Sequence, residues 1–525
     1  SNNEQTFDPL AATSQPWQGD RPGLLLQIDD QVWRTEADTR ERLELLAKQL
    51  IIDCVLSDTT QRSLENLPAT AAQLHFTRTI LLHALHKSAE QEISALLAGL
   101  SGQRIDPGPS GAPTRGRLDT LPTGRNFFSV DNRAIPSPAA WEIGKRSAQA
   151  LIERHLQLYG DFPKQLGLSV WGTATMRTGG DDIAQAFALM GVEPIWAPGS
   201  NRVVDFRVIS TQLLQRPRVD VTLRVSGFFR DAFPNVMKLF DAAVQKMVAI
   251  EEPGNENLIQ RHVNHRQKEL EALGHSSDEA KRQASYRVFG SKPGAYGAGL
   301  QGLIDERCWA QQSDLADAYL NWGGYAYGNE AGDGVEAKEA FRHQLSNLEV
   351  VAQNQDNREH DILDSDDYYQ FQGGMTNAVS VFSGHTPAVY HNDHSNPSSP
   401  KVRTLKEELN RVVRSRVLNP KWINAMREHG YKGAFEMGAS IDYLFAYDAT
   451  TNLVDDYQYA SVTDALILDE DNLNFLLENN PAVLEEMTER LLEATQRGLW
   501  ENPGEYAHRL QDILLEIDER QEAAS

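Results

Sequence analysis

The chain has 525 residues, 40% hydrophobic and 24% charged, which is an ordinary globular composition whose length predicts roughly three or four domains. Its formal net charge of −24 argues against a nucleic-acid partner, because phosphate binding needs a basic surface. Cys54 and Cys308 are far apart, which argues against a disulfide framework and a structural zinc site. No apolar stretch reaches the ~20 residues of a membrane span and no signal-peptide pattern opens the chain, so we expect a cytoplasmic enzyme or enzyme subunit without a membrane partner.

The first hundred residues are predicted to be a mainly helical lead-in. Residues 1–23 are polar and should form a loose start, whereas 36–97 show helical apolar spacing. A stretch rich in Gly, Pro and Arg follows at 101–128. It is too long for an ordinary connector, and ordered loops of that length are often functional.

Strand, loop and helix patterns then alternate. "QLGLSVW" (165–171) predicts a strand, "GTATMRTGG" a loop, and "DDIAQAFALMGV" a helix with Asp181 and Asp182 in its first turn. "RVDVTLRVSG" (218–227) predicts the next strand, "FFRDAFPN" a loop, and a helix follows from about Val236. This order is typical of an α/β domain with a mostly parallel sheet.

Two later segments extend the same pattern. "LSNLEVVAQ" leads into an acidic stretch, and "PAVYHNDHS" (387–395) ends in a loop before a helix whose capping box is Thr404 with Glu407. Because parallel strands end at one edge of a sheet, we predict that the loops at 172–180, 226–235, 354–367 and 390–396 line one cleft.

These patterns predict an α/β fold with strand–loop–helix units, flanked by helical N-terminal and C-terminal regions. The α/β core with the site loops would span 101–400. The region 401–525 would be helical, and its last clear helix would begin with Asn480 as N-cap and Pro481 at the first helical position.

The acidic stretch Asp356–Asp367 packs six carboxylates, one Arg and one His into twelve positions. His360, Asp364 and Asp367 stand at i, i+4 and i+7, so a helix would align them. Imidazole with carboxylates suits a divalent first-row metal such as cobalt or nickel, whereas carboxylates alone suit magnesium. The alternative is a solvated turn in which Arg358 neutralises a neighbour.

Two further motifs have chemical potential. His391, Asp393 and His394 in "YHNDHS" are suited to binding a metal, or to acting as a general base with an orienting carboxylate; the alternative is an Asx-turn with incidental histidines. "RVFGSKPGAYGAGL" (287–300) is glycine-rich but lacks the order GxxxxGK[ST], as does the rest of the chain. We therefore predict no ATP hydrolysis by the chain alone.

The helix after Thr404 carries a basic face. Its Arg and Lys side chains are suited to binding carboxylates of a polyanionic small molecule, and a solvated basic face is the commoner explanation. The residues are Lys406, Asn410, Arg411 and Arg414.

At these loops the sequence resembles a known family. The stretches "GPSGAPTRGRLDTLPTGRNFFSVDNRAIPSPAAWEIGKR", "LSVWGTATMRTGGDDIAQAFALMGV", "RVFGSKPGAYGAGLQGLIDE" and "NQDNREHDILDSDDYYQFQGGM" are similar to the carboxyl-terminal half of the CobN/magnesium-chelatase large subunits. The segments "FGSKPGAYGAG" and "DSDDYYQFQGG" resemble the CobN branch, the large subunit of aerobic ATP-dependent cobaltochelatase, more than the magnesium branch.

The resemblance implies a ligase that forms nitrogen–metal bonds by inserting Co2+ into hydrogenobyrinic acid a,c-diamide during cobalamin biosynthesis. It implies two partners, an AAA+ ATPase subunit and a subunit with an integrin-like domain, which supply ATP hydrolysis with Mg2+. Full-length members have an upstream half with an HGTxxEW-type motif, so we expect this chain to be a fragment. Alternatives are a magnesium or nickel chelatase subunit acting on a porphyrin-type ring, and a non-catalytic tetrapyrrole-binding module.

Metal insertion requires that the ring is held, that the metal loses water and that the ring N–H protons leave, and carboxylates and imidazoles serve the last two needs. Within the resemblance, we predict catalytic roles for His360, Asp364, Asp367 and His391. The predicted metal ligands are His360, Asp364, Asp366, Asp393 and His394. The predicted contacts to the corrinoid are Arg177, Arg230, Lys292, Tyr368 and Arg414.

Overall fold

A computed structural model describes residues 8, 20–57, 67–109, 113, 118–128, 130–252, 256–329, 332–397 and 399–524. The chain divides into two compact units, Ser1–Ser129 and Val130–Ser525. Of the predicted loose start, 1–7 and 9–19 lie outside the described residues. The boundaries near 100 and 400 stay a prediction, but the helices beyond 404 belong to the same compact unit as the sheet.

The first unit is mainly helical, as its apolar spacing predicts. Its core contains Leu25, Trp33, Leu46, Leu50 and Leu74. Its elements are the helices Gly23–Leu26, Glu36–Ile51, Pro68–Phe76 and Leu82–Leu100, π-helical turns at Ile52–Leu56 and Thr77–Leu81, a 3-10 turn at Leu118–Thr120, and the parallel strands β1 (Pro107–Pro109) and β2 (Asn126–Phe128).

An eight-stranded sheet organises the second unit. Two further strands, β4 (Val192–Trp196) and β5 (Val203–Val208), pair separately. The sheet contains β3 (Gln165–Val170), β6 (Asp220–Val225), β7 (Val288–Gly290), β8 (Tyr325–Gly328), β9 (Gly332–Glu336), β10 (Val350–Gln355), β11 (Ala388–Asp393) and β12 (Lys401–Thr404). The order is β12-β11-β10-β3-β6-β7-β8-β9; the five strands from β11 to β7 are mutually parallel, and β12, β8 and β9 pair antiparallel.

Helices cover both faces of this sheet. Along β10, Val350 and Ala352 belong to one hydrophobic core, and Val351 belongs to the other. This burial on both sides explains why the parallel strands are nearly continuous apolar runs.

The helices of the second unit have these bounds: Pro138–Tyr159, Gly172–Thr178, Asp181–Met190, Thr211–Leu214, Gly227–Ala232, Pro234–Val248, Leu258–Ala272, Ser277–Ser285, Gln301–Asp305, Gln312–Gly323, Lys338–Leu345, Asp366–Tyr368, Gly374–Ser383, Leu405–Val412, Pro420–Glu428, Gly430–Thr451, Asp456–Val462, Glu470–Asn479, Pro481–Gln496 and Tyr506–Ala524. A 3-10 turn lies at Asn132–Ala134, and π-helical turns lie at Tyr369–Gly373, Val413–Val417 and Thr463–Leu468. No helix among the described residues is long and apolar enough to cross a lipid bilayer.

The predicted α/β class, the parallel sheet and the helical flanks are confirmed. So are two caps: the Thr404–Glu407 capping box, and Asn480, whose side chain accepts from Val483 N–H at the start of Pro481–Gln496. That helix is not the last one, because Tyr506–Ala524 follows it.

Two predicted loops are wrong in their conformation. The segment 172–180 is mostly the helix Gly172–Thr178, and 226–235 contains the helix Gly227–Ala232, which the Ser226 side chain caps. These short helices pack on each other: a Cβ on Gly172 would lie 2.6 Å from Phe228, an approach that only glycine permits and that local composition does not reveal.

Candidate functional site

The strand order places a topological switch point between β3 and β10. From β3 the chain moves to β6 and β7, then returns to the other side of β3 with β10 and β11. Ligands of open α/β sheets bind outside the carboxyl ends of the strands at such a point. The four segments predicted to line one cleft follow β3, β6 and β10 and include the end of β11, so they share this edge.

An ion pair crosses the switch point. Arg177, in the helix after β3, donates from Nε and Nη2 to the two carboxylate oxygens of Asp356, directly after β10, at 2.7 and 2.8 Å. Asp356 is buried, and its hydrogen bonds raise the pKa of Arg177. The pair Arg177–Asp356 therefore joins the helix after β3 to the segment after β10.

On one face of the sheet, a buried carboxylate–imidazole cluster lies just below the edge. Asp181 and Asp182 begin the helix Asp181–Met190, and His394 follows β11; one potential ligand atom of each lies within 4.8 Å of those of the other two. His394 Nδ1 is 2.8 Å from Asp181 Oδ2. Burial, then the neighbouring charge of Asp181, raises the pKa of Asp182 well above its ordinary value.

Amides and a hydroxyl surround that cluster. Asn354 donates from Nδ2 to Asp182 Oδ1 and to Gln185 Oε1, both at 2.7 Å, and Asn392 donates to Asn354 Oδ1 at 2.8 Å. Ser147 Oγ is 2.7 Å from His394 Nε2. The other oxygen of Asp182 has no hydrogen-bond partner among the described residues.

The opposite face carries a second polar group around His391. Its Nδ1 is 3.2 Å from Gln372 Oε1, which also accepts from the Tyr447 hydroxyl at 3.3 Å, and its Nε2 has no partner among the described residues. Burial lowers the pKa of His391 to about 4, so the ring is neutral at pH 7. The loop predicted at 390–396 is wrong for its first four residues, which are the end of β11.

A carboxylate with three arginines joins the edge on that same face. Glu408, in the helix Leu405–Val412, accepts from Arg358 at 3.1 Å, from Arg403 at 3.5 Å and from Arg411 at 2.6 and 2.9 Å. Arg358 and Arg403 also contact Asp393. Burial opposes ionisation of Glu408, but the hydrogen bond from Arg411 and the nearby cations lower its pKa to about 2.

The acidic stretch forms turns rather than the helix that would align its ligands, so the i, i+4, i+7 alignment is wrong. Asp361 binds Arg416 through both oxygens at 2.6 and 2.9 Å. Asp364 accepts from the Asp361 N–H at 2.7 Å and contacts Arg416 at 3.3 Å. His360 is exposed, and Arg358 neutralises Asp393 and Glu408 rather than a sequence neighbour.

Further along the acidic stretch, Asp366 lies at a separate acidic cavity. Asp366 accepts from Gln370 at 2.8 Å and lines a cavity of about 530 Å³ with Tyr369, Asp442 and Arg490. Asp367 is exposed, and Tyr368 accepts from Gln355 at 3.1 Å. Although the residue is exposed, partial desolvation of its carboxyl group, then the charge of Asp366, raises the pKa of Asp367 to about 6.

The predicted metal ligands do not come together. Asp181, Asp182 and His394 form the one three-ligand group found within the described ranges, and of these only His394 was predicted. Asp393 and His394 are neighbours in sequence, but they face opposite sides of the sheet because side chains alternate along a strand. His360, Asp364 and Asp366 lie in three different settings.

The predicted corrinoid contacts also divide. Arg230 is buried, pairs with Asp231 at 2.7 and 2.9 Å, and donates to the carbonyls of Ser291, Lys292 and Ala295, so it positions the glycine-rich loop. The side chains of Lys292 and Arg414 are exposed at the surface, and Tyr368 is half-buried.

Sequence reasoning missed Asp181 and Asp182 as site residues, and it assigned no role to the buried Arg224. Arg224 is fully buried, stacks over Phe371 at 4.8 Å, and donates to the Val225 carbonyl at 2.7 Å. The available signals were a lone arginine in an apolar strand and a pair of aspartates after two glycines.

The family model for CobN/magnesium chelatase matches residues 2–507. The chain belongs to this family. It is 56% identical over 518 residues to the aerobic cobaltochelatase subunit CobN of Pseudomonas aeruginosa, a match that covers 98% of this chain and 41% of that protein. Identity to the chloroplastic magnesium-chelatase protein ChlH of Oryza sativa is 31% over 437 residues, 82% of this chain and 31% of that protein.

A solved structure of a cobaltochelatase subunit has the same fold. The structure of the catalytic subunit of cobaltochelatase from Mycobacterium tuberculosis superposes with a TM-score of 0.83 at 43% identity, over 97% of this chain and 43% of that one. The chain thus spans about two fifths of the length of these CobN relatives.

Proposed function

We propose that this chain is the carboxyl-terminal part of the large, substrate-binding subunit of a cobaltochelatase. Its reaction would be insertion of Co2+ into hydrogenobyrinic acid a,c-diamide during aerobic cobalamin biosynthesis, in the cytoplasm. The observation that carries the proposal is 56% identity to a cobaltochelatase subunit across 98% of the chain, against 31% to a magnesium-chelatase subunit.

The geometry of the sheet edge supports a role in metal insertion. Carboxylates and a neutral imidazole lie on both sides of one switch point, where they are suited to replace water on a cation or to accept ring protons. Lys292 and Arg414 keep exposed cationic ends for peripheral carboxylates of the corrinoid, whereas Arg177 and Arg230 already hold Asp356 and Asp231.

ATP hydrolysis would belong to partner subunits, an AAA+ ATPase and an integrin-like-domain protein, because the sequence has no phosphate-binding GxxxxGK[ST] motif. A second candidate function is a corrinoid-binding module without catalysis, because Lys292 and Arg414 are exposed while the predicted ligands His360, Asp364 and Asp366 lie in different settings.

The first test measures corrinoid binding by the purified chain. We expect it to quench the fluorescence of hydrogenobyrinic acid a,c-diamide, and Lys292→Ala and Arg414→Ala to weaken binding. Lys432→Ala is the control, because Lys432 is also an exposed lysine but pairs with Glu436 within the helix Gly430–Thr451. Equal affinity in all variants would remove Lys292 and Arg414 from the binding surface.

The second test restores the upstream half and both partners, and compares insertion of Co2+, Mg2+ and Ni2+ into corrin and porphyrin rings. We expect cobalt insertion into the corrin alone. Magnesium insertion into a porphyrin would replace the cobalt assignment. Binding without insertion of any metal would favour the binding module.

A further inference from the structure

We propose that Asp181, Asp182 and His394 form a transient site for the divalent cation before it enters the ring. This inference rests on the proposed function, since the cation is its substrate. One potential ligand atom of each residue lies within 4.8 Å of those of the other two, and the residues are 1%, 2% and 0% exposed. They lie beside the switch point, where the backbone N–H of His394 donates to the Gln355 carbonyl at 2.8 Å.

One buried carboxylate oxygen of this cluster is available to bind a ligand. Asp182 Oδ1 accepts from Asn354 at 2.7 Å, but Oδ2 has no hydrogen-bond partner among the described residues, although the side chain is almost fully buried. Buried polar groups are normally paired, and an unpaired carboxylate oxygen is costly to bury. A cation bound to Oδ2 removes that cost.

The surrounding residues have the arrangement found around metal ligands in proteins. A ligating imidazole usually bonds through its other ring nitrogen, and a ligating carboxylate is itself hydrogen-bonded. His394 has Ser147 Oγ at 2.7 Å from Nε2, and Ser147 Oγ accepts from Gln185 at 3.0 Å. His394 Nδ1 is the nitrogen on the carboxylate side.

Charge and ligand type specify the class of cation. Two carboxyl groups and one imidazole converge here, and a divalent cation favours their deprotonated, ligating forms. One nitrogen with carboxylate oxygens suits Co2+, Ni2+ or Zn2+ better than Mg2+, which prefers oxygen ligands and retains its waters. Because the three side chains are buried, the ion enters only through local opening, so binding should be slow compared with diffusion.

The test uses the whole 525-residue chain with Co2+ alone, followed by equilibrium dialysis and by the visible absorption of bound cobalt. We expect one equivalent to bind. Asp182→Asn, which keeps the shape and removes the charge, and His394→Gln should each weaken binding at least tenfold. Asp448→Asn is the matched control, because Asp448 is another fully buried aspartate and lies in the helix Gly430–Thr451. It should bind Co2+ like the unaltered chain.

X-ray absorption of the unaltered chain with cobalt tests the inference without relying on a variant. One imidazole and at least two oxygen ligands are expected. The absence of an imidazole ligand, or unchanged affinity in Asp182→Asn, would overturn the inference. If the chain binds the corrinoid but no cobalt, this inference fails while the proposed function stands. If it binds cobalt but no corrinoid, the proposed function fails, and the cluster remains a cation site whose role as a donor to the ring is lost.

Discussion

Replacing Glu408 by Gln tests whether its charge holds the carboxyl edge of the sheet together. The Glu408 side chain is 1% exposed and lies among Arg358, Arg403 and Arg411, whose side chains are 23–32% exposed. The substitution keeps the shape and leaves three guanidinium groups without their central carboxylate.

The expected loss follows from the pKa. Hydrogen bonds and cations lower the pKa of Glu408 from 4.5 to about 2, which corresponds to about 3 kcal/mol of stability at neutral pH. Removing one partner of a buried ion pair costs about 3–5 kcal/mol, and the lower end applies here because the arginines stay partly hydrated. Both routes give about 3 kcal/mol.

The pH dependence has a definite sign. Because the folded-state pKa lies below the unfolded value, the contribution of Glu408 is complete above pH 4.5 and is lost as the pH falls towards 2. The difference between the unaltered chain and Glu408→Gln should therefore stay constant from pH 7 to about pH 5 and fall to about half by about pH 3.

The assay is native-state hydrogen exchange of peptides covering β11 and the helix Leu405–Val412, because a chain with two compact units need not melt in one step. Glu478→Gln, at an exposed glutamate, is the control and should change stability by less than about 0.5 kcal/mol. A difference below about 1 kcal/mol at pH 7, or one unchanged at pH 3, would refute the reasoning.

Two other buried carboxylates give predictions of opposite kinds. Asp220→Asn should cost about 3–5 kcal/mol, measured by hydrogen exchange of peptides covering β6 and β7, because Asp220 binds Arg287 at 2.7 and 3.0 Å with both side chains at most 2% exposed; a cost under about 1 kcal/mol would contradict it. Burial raises the pKa of Asp448 to about 7. As the pH rises from the unfolded pKa of this carboxyl to pH 7, the stability of the unaltered chain should therefore fall by about 1.4 kcal/mol per pH unit and then level off. Asp448→Asn should show no such decline, and parallel pH profiles of the two proteins would contradict this prediction.

The fold could be predicted because its signals are local and repeated. The apolar runs at β3 and β6, the Thr404 capping box and the Asn480–Pro481 start each depend on a few neighbouring residues. The helix Gly172–Thr178 could not be predicted in the same way. It depends on packing against Phe228, which is distant in sequence.

The candidate site depends on contacts between distant segments. Asp182 lies 172 residues from its partner Asn354, and Asp181 lies 213 residues from His394. Spacing within one motif cannot report such pairs. What the sequence does report is the edge itself, because strands that end together bring their following residues together.

The acidic stretch now has a physical explanation that differs from a metal cage. Its carboxylates Asp356 and Asp361 each bind a different arginine, Arg177 and Arg416, and so join the segment after β10 to the helix after β3 and to the turn Val413–Val417. Carboxylates held by guanidinium groups are poor ligands, because a cation would have to displace a charged partner. The cluster of Asp182 with His394 has no such competing cation in direct contact among the described residues, and one of its oxygens is unpaired there. We therefore expect the cation ligands at this edge to be in the cluster of Asp182 with His394 and not in the acidic stretch. Neutralising Asp361 should destabilise the edge more than it weakens cation binding.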